Sequence, residues 1–175
     1  LVGPPGSGKS KFVKDLEKLE NERDVLERRM IFSVSADDYF VDSDSGEYKF
    51  DPNMLRFAHG DCMLRFATFL HSLTQPTLAS MRATLVVDNT NSTLLEIAPY
   101  YALASAYRAS IELVHLDTHP RVCAERNVHG APTERVEQMW KAAREIEPPP
   151  YWQYSERVIT DDASYQRYLH VALPE

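Results

Sequence analysis

The fold is decided near the start of the chain, by the stretch Gly3-Pro4-Pro5-Gly6-Ser7-Gly8-Lys9-Ser10. This stretch matches the pattern G-x-x-x-x-G-K-S, in which glycines let main-chain N–H groups point inward around phosphate oxygens. A helix that begins at such a loop adds the positive end of its dipole. We expect Lys9 to reach the β and γ phosphates of a nucleoside triphosphate and Ser10 to offer its hydroxyl to Mg²⁺. The alternative, a chance glycine-rich turn, is disfavoured because an apolar pair precedes the loop and an amphipathic pattern follows it.

The start of the chain is unusual for such a motif, because only Leu1 and Val2 precede the loop. A buried strand of about 5 residues normally leads into it. We therefore expect that the numbering lacks several upstream residues of this strand. The 175 residues themselves fit a single domain.

Helical and extended patterns alternate along the rest of the chain. The predicted helices cover residues 9–29, 52–73, 93–108, 120–127 and 133–145, and the third begins with a capping box of Thr93 and Glu96. The predicted strands cover 30–34, 84–88 and 111–116, with 158–159 as a weaker candidate and 165–173 left unassigned. Alternating strands and helices predict parallel pairing and a three-layer αβα sandwich.

Composition limits the classes of protein that the chain can represent. Hydrophobic residues make up 43% and charged residues 26%, as in ordinary soluble globular proteins, and no apolar run approaches the length of a membrane helix. The net charge of −7 argues against an extensive grip on nucleic acid, although a small basic pocket for one strand end stays possible. Cys62 and Cys123 are expected to be buried, reduced thiols, which favours the cytoplasm, with the nucleus as an alternative.

Carboxylates follow two of the predicted strands. Asp88 ends the most apolar strand, at the edge where active sites of open α/β sheets lie, so we expect it to hold Mg²⁺ beside Ser10. Asp37 and Asp38 end the preceding strand, and because adjacent strand residues point to opposite faces, one of them is expected to face the cleft as a general base. The alternatives are a helix-capping Asp88 and a solvated acidic turn at residues 37–38.

Arg126 lies in the stretch Glu125-Arg126-Asn127-Val128-His129-Gly130, after a predicted helix and before a flexible glycine. An arginine on a mobile lid, here about residues 126–133, can close over a transferring phosphoryl group. We expect Arg126 to bind nucleotide phosphate and to act in catalysis. A surface arginine paired with a helix glutamate is the alternative.

Several stretches of this sequence, taken in order, resemble the kinase domain of the polynucleotide kinase family, and within it the NEDD4-binding-protein-2-like group. The matching stretches are GPPGSGKS at 3–10, SADDYF at 35–40, YKFDP at 48–52, VVDNTNST at 86–93, IAPYY at 97–101 and ERNVHGAP at 125–132. The first motif alone is generic, but the set in this order is much more specific.

The resemblance implies a P-loop kinase fold with a parallel sheet of about five strands. It also implies use of ATP and Mg²⁺ and transfer of phosphate to the 5′-hydroxyl of DNA or RNA. Carried over to this chain, Asp37 is similar to the general base of the family and Asp88 to its metal-side aspartate. Arg126 resembles a lid arginine.

Two departures from the family pattern concern the acceptor and the lid. Phe40 stands where an arginine often holds the acceptor's phosphate, and His129 stands near the position of a second lid arginine. Tyr39 or Phe40 could stack on a base instead, or Phe40 could be a core aromatic. Two other functions therefore stay open: a kinase for a small molecule, and a nucleotide-binding interaction module with little catalysis.

Overall fold

The computed structural model describes residues 1–25, 27–75, 78, 81–127 and 130–171. They belong to two compact units: unit 1 is Leu1–Leu19 with Thr90–Glu175, and unit 2 is Glu20–Asn89. The elements in chain order are α1 (Lys9–Asn21), β1 (Met30–Val34), a 3₁₀ helix (Ala36–Phe40), a second 3₁₀ helix (Pro52–Met54), α2 (Leu55–Ser72), β2 (Ala83–Val87), α3 (Leu94–Ala106), β3 (Glu112–Leu116), α4 (Pro120–Arg126), α5 (Thr133–Arg144), β4 (Ser155–Ile159) and α6 (Asp162–Val171).

Strand β3 is the centre of unit 1. On one side it pairs in parallel with β4, and on the other it forms a parallel bridge with Val2, whose N–H donates to the Val114 carbonyl at 2.9 Å. Because side chains alternate along a strand, Val114 packs with Phe12 of α1 and with residues of α6, whereas Leu113 packs with α3 and α5. Helices therefore cover both faces of these strands, as the predicted sandwich requires.

Unit 2 is built around a parallel β–α–β arrangement. Strands β1 and β2 pair over their full length, from Met30 with Ala83 to Val34 with Val87, and α2 provides the crossover between them. The buried residues of α2 recur every four positions, which gives the helix one inward face; they are Ala58, Cys62, Phe66 and Leu70. The arrangement places the ends of β1 and β2 side by side.

The sequence-based boundaries hold for most elements, and the capping box of Thr93 and Glu96 is confirmed. The first helix was predicted to reach residue 29 but ends at Asn21. The reason is Glu20, which is 1% exposed and accepts the backbone N–H of Arg29 at 2.8 Å after the chain has turned back. Within the described residues the strands number four, and the bridge of Val2 stands where the strand leading into the loop was expected.

The described part of the chain contains no helix that is both long enough and apolar enough to cross a membrane. Cys62 and Cys123 are both free and buried, as predicted.

Candidate active site

The main chain of residues 3–10 has the shape that the motif predicts. Gly6 has φ 79° and Gly8 has φ 98°, in the left-handed region that side chains rarely adopt. A Cβ on Gly6 would also lie 2.0 Å from the carbonyl oxygen of Cys123, so only glycine fits there. Helix α1 begins at Lys9, directly after the last glycine of the loop, so its N-terminal amides and dipole are available to an anion.

Lys9 is folded back onto the loop. Its side chain is almost fully buried, and its ammonium donates hydrogen bonds to the carbonyls of Gly3 at 2.9 Å and Pro4 at 3.0 Å. Burial of an ammonium is costly unless acceptors surround it. The loop therefore holds one fixed positive charge among its main-chain groups, which is the requirement for a polyphosphate site.

Ser7 supplies a second sign that the loop is built for an anion. Its hydroxyl oxygen is buried and has no hydrogen-bond partner among the described residues. A buried hydroxyl without a partner costs about 1–3 kcal/mol, so such groups call for an explanation. The cradle of glycines, the lysine and this hydroxyl together fit the phosphate chain of a nucleoside triphosphate.

The loop rests on the segment that follows β3. The hydroxyl of Thr118 donates to the carbonyl of Ser7 at 3.0 Å, and the thiol of Cys123 donates to the carbonyl of Thr118 at 3.2 Å. Burial raises the pKa of the Cys123 thiol, and the charges of Lys9 and Arg126 oppose that rise. The thiol therefore stays protonated at neutral pH and serves as a donor, not as a nucleophile.

Arg126 is the last residue of α4 and is exposed. Its charge, like that of Lys9, opposes the rise in the pKa of the Cys123 thiol. The side-chain amide of Asn127 donates to the Ala131 carbonyl at 2.8 Å. Of the predicted lid, Val128 and His129 lie outside the described residues, so the lid role of residues 126–133 stays a prediction.

Asp117 is a strand-end carboxylate that the sequence analysis did not single out. It accepts a hydrogen bond from the Trp140 indole at 2.8 Å and pairs with Arg144 at 3.0 Å. Both partners lie on α5, so Asp117 fixes that helix to the end of β3. Its position directly after a predicted strand, the feature that identified Asp88 as a candidate, would also have identified Asp117 from the sequence.

In unit 2 the acidic pair after β1 lies on a 3₁₀ helix, not on the strand. The strand-alternation argument for Asp37 and Asp38 was therefore wrong, because Ser35 ends the extended backbone and caps the helix. The Asp38 carboxylate accepts the Ser35 N–H at 3.1 Å and pairs with Arg65 at 2.8 Å. Asp38 is thus occupied in holding the helix, which leaves Asp37 as the candidate base.

Asp37 is exposed, and its carboxylate accepts a hydrogen bond from a tyrosine side chain. The Tyr48 hydroxyl, 11 residues further along the chain, donates to its carboxylate at 3.1 Å. Burial, followed by the charge and hydrogen bond of Asp37, raises the pKa of Tyr48 to about 12. The phenol therefore stays protonated in neutral solution and continues to orient the carboxylate. Tyr48 and Arg65 were both missed, because nothing in their local sequence indicates these contacts.

Asp88 directly follows β2 and is held against the end of β1. Its N–H donates to the Val34 carbonyl at 2.9 Å, and its carbonyl accepts the Ser35 hydroxyl at 2.9 Å. The next residue, Asn89, accepts the N–H of Ala36 at 2.8 Å. Unit 2 therefore brings Asp88 to the start of the helix that carries Asp37. The predicted metal pair of Ser10 and Asp88 is divided between the two units, and its joint role stays a prediction.

This chain is similar to known proteins in family, in sequence and in fold. The family described as "AAA domain" matches residues 1–146. Over 143 residues, 79% of the chain, the sequence is 31% identical to human NEDD4-binding protein 2, of whose length it spans only 7%. The structure is similar to that of Mycobacterium tuberculosis APS kinase in complex with AMPPNP and APS. That similarity has a TM-score of 0.52 and 16% sequence identity, and it covers 98% of this chain and 91% of the other.

The structural likeness, at this level of identity, shows the fold alone, and that fold is the P-loop kinase fold predicted from the sequence. The family match covers well over half of the chain and includes the phosphate loop, β1, β2 and α5. The chain therefore belongs to the family described as "AAA domain" and is a P-loop kinase-like protein.

Proposed function

We propose that this chain is an ATP-dependent kinase that transfers the γ-phosphoryl group to a hydroxyl acceptor, and that its acceptor is the 5′-hydroxyl of a polynucleotide. The observation that carries the proposal is the presence of two complementary sites in one chain. One is a phosphate loop with an enclosed lysine, and the other is a carboxylate on the 3₁₀ helix after β1, Asp37, that a tyrosine orients. A protein that only binds nucleotide needs the first site and has no use for the second.

The loop is assigned to the triphosphate. Its main-chain amides and the start of α1 bind phosphate oxygens, and Lys9 neutralises the charge that develops on the moving phosphoryl group. Arg126 adds a second positive charge from the end of α4. When bound, Mg²⁺ would supply further neutralisation of the β and γ phosphates, with the Ser10 hydroxyl and the Asp88 carboxylate as its protein ligands.

Asp37 is assigned to the acceptor. A carboxylate that accepts the proton of the attacking hydroxyl makes the oxygen a better nucleophile as the bond to phosphorus forms. The hydrogen bond from Tyr48 restricts the rotation of the carboxylate, so one oxygen is directed by the protein. Exposure of Asp37 leaves room for an acceptor to approach.

The choice of a polynucleotide rests on the ordered set of motifs and on the similarity to NEDD4-binding protein 2. A small-molecule acceptor is the second candidate, and two observations favour it. The net charge is −7, and Phe40, which occupies the position of the family's acceptor-binding arginine, is buried.

The decisive experiment offers ATP labelled at the γ-phosphate together with oligonucleotides that carry a 5′-hydroxyl. Oligonucleotides with a 5′-phosphate and a panel of sugars and nucleosides serve as competing acceptors. We expect label on the 5′-hydroxyl strands only. Asp37→Asn should lower kcat by about 10²- to 10⁴-fold while ATP affinity is retained. Asp44→Asn, the same change on an exposed loop of unit 2, is the matched control.

Each alternative predicts a different pattern. Label on a metabolite but on no strand would replace the polynucleotide by a small acceptor. Full turnover by Asp37→Asn would remove the base from the mechanism. ATP binding without transfer to any hydroxyl would favour a nucleotide-binding interaction module.

A further inference from the structure

We propose that the chain recognises its acceptor by stacking the nucleobase of the 5′-terminal nucleotide on an aromatic panel beside Asp37. The aromatic panel comprises Tyr39, Phe40, Tyr48 and Phe50. The proposal rests on the function proposed above and adds how the acceptor is selected: by an aromatic surface for a base, with little contribution from phosphate contacts.

Phe40 is the centre of the panel. It is 5% exposed, and three rings pack against it edge to face: Phe50 at 5.1 Å between centroids, Tyr39 at 5.6 Å and Tyr48 at 6.2 Å. Phe40 is therefore a core aromatic and does not contact an acceptor itself. Its role is to position the rings around it.

The three outer rings of the panel are exposed although they pack against the buried Phe40 ring. Tyr39 is 40% exposed, Phe50 is 48% exposed and Tyr48 is 36% exposed. Single exposed aromatics are common on protein surfaces, whereas contiguous exposed apolar surface is a feature of binding sites. Aromatic faces stack on any base, which suits an acceptor of variable sequence.

The backbone holds the panel in place. Val41 and Tyr48 form an antiparallel bridge, and the N–H of Lys49 donates to the Phe40 carbonyl at 2.8 Å. At the tip of this loop the Asp42 carboxylate accepts the N–H groups of Asp44 and Ser45. A surface that is already ordered loses less conformational entropy when it binds, so stacking on it is favoured.

The panel is continuous with the candidate base. Tyr48 belongs to both, because its ring packs on Phe40 while its hydroxyl donates to Asp37. The 5′-hydroxyl of a nucleotide is joined to its base through a single sugar. A base on the panel and a hydroxyl at Asp37 therefore belong to the same residue of the acceptor.

Charge around the panel favours a base over a phosphate as the group recognised. The loop that carries it contains Asp42, Asp44 and Glu47, and its cation, Lys49, pairs with Glu47 at 2.8 Å. Arg65 is engaged by Asp38 and Asp61. Phosphate-binding surfaces depend on available cations, and their affinity falls steeply with salt. Recognition by the panel should depend only weakly on salt.

The test compares two 5′-hydroxyl oligonucleotides of equal length, one normal and one with an abasic 5′-terminal nucleotide. We expect the abasic strand to have a KM about 5- to 100-fold higher, the range for loss of one stacked base. Phe50→Ala should raise the KM of the normal strand by a similar factor and leave both the abasic strand and the KM for ATP unchanged. Phe50→Trp should restore the normal KM.

Phe57→Ala is the matched control, because Phe57 is 47% exposed in the same unit and its ring contact is with Arg56, not with the panel. Equal KM values for the two strands, or equal effects of Phe50→Ala and Phe57→Ala, would overturn the panel while 5′-hydroxyl transfer stands. Transfer to metabolites alone would instead overturn the proposed function. Binding of 3′-labelled strands, followed by fluorescence anisotropy, gives the same comparison without turnover.

Discussion

The phosphate loop at residues 3–10 and the acidic segment at residues 35–40 present polar groups by different means. The loop relies on main-chain geometry, with positive φ at its glycines, and on the enclosed ammonium of Lys9. The acidic segment relies on side chains from distant positions: Arg65 holds Asp38, and Tyr48 holds Asp37. The difference shows that a binding site for an invariant group, such as a triphosphate, can be encoded by one short sequence motif. A site for the acceptor is assembled by the surrounding fold.

The largest expected effect tests the enclosed lysine of the loop. Lys9→Ala removes the enclosed charge, and we expect kcat/KM for phosphate transfer to fall by about 10²- to 10³-fold. The measurement is steady-state transfer from labelled ATP. Lys14→Ala, an exposed position on the same helix, is the control. Activity within a few-fold of the unchanged protein would show that the main chain suffices alone.

The next effect tests the main-chain part of the loop. Gly6→Ala places a methyl group against the Cys123 carbonyl, and backbone cannot move aside as a flexible side chain does. Overpacking and the positive φ together should cost about 2–4 kcal/mol of stability. Thermal unfolding should show a lower Tm. Gly60→Ala is the matched control: a Cβ there meets no atom within 4 Å and the site is helical, so this change should stabilise slightly.

A smaller effect tests the side-chain support of the acceptor site. Tyr48→Phe keeps the ring of the aromatic panel and deletes the hydrogen bond to Asp37. A loss of about 1 kcal/mol corresponds to roughly a fivefold fall in kcat. Kinetics at saturating ATP measure it. Tyr107→Phe removes a hydroxyl from another exposed tyrosine and should be silent. An unchanged kcat in Tyr48→Phe would mean that the Tyr48 hydrogen bond is not needed to orient the Asp37 carboxylate for catalysis.

The smallest expected effect is on the pH dependence of folding stability, through His115, a residue with no proposed role in catalysis. Burial lowers the pKa of His115 below its usual value of 6.5. The Glu156 carboxylate, whose Oε1 lies 3.0 Å from His115 Nε2, only partly opposes this lowering. The unfolded chain therefore takes up the proton first, so the stability from this group is present above pH 6.5 and is lost as pH falls below it. The change is at most tenfold in the folding equilibrium per pH unit.

His115→Gln should flatten this part of the curve when unfolding by denaturant is measured from pH 7.5 to pH 5. Should the slope persist in the variant, another group must account for it.

The amino-acid sequence allowed the loop and the Thr93 capping box to be predicted, because each depends on residues within a few positions of one another. The parallel strands were predictable because strand and helix patterns alternate along the chain. The role of Tyr48 was not predictable, since its partner lies 11 residues away across a turn. Nor was that of Arg65, which reaches Asp38 from α2 over 27 residues.

The prediction for α1 failed for a related reason. A charged pattern continues past Asn21, but burial of Glu20 against the N–H of Arg29 ends the helix. Local propensity says nothing of a carboxylate that becomes buried only after the chain has turned.

The thiol beneath the loop offers a way to observe the nucleotide site without any acceptor. Cys123 is 0% exposed, and its raised pKa keeps thiolate scarce, so a thiol-modifying reagent should react only when α4 opens. With Cys62 changed to serine, the labelling rate would report that opening alone. A ligand that binds the folded loop should slow the labelling of Cys123, and the slowing should grow with the ratio of ligand concentration to Kd. The labelling rate of this buried thiol therefore measures nucleotide affinity.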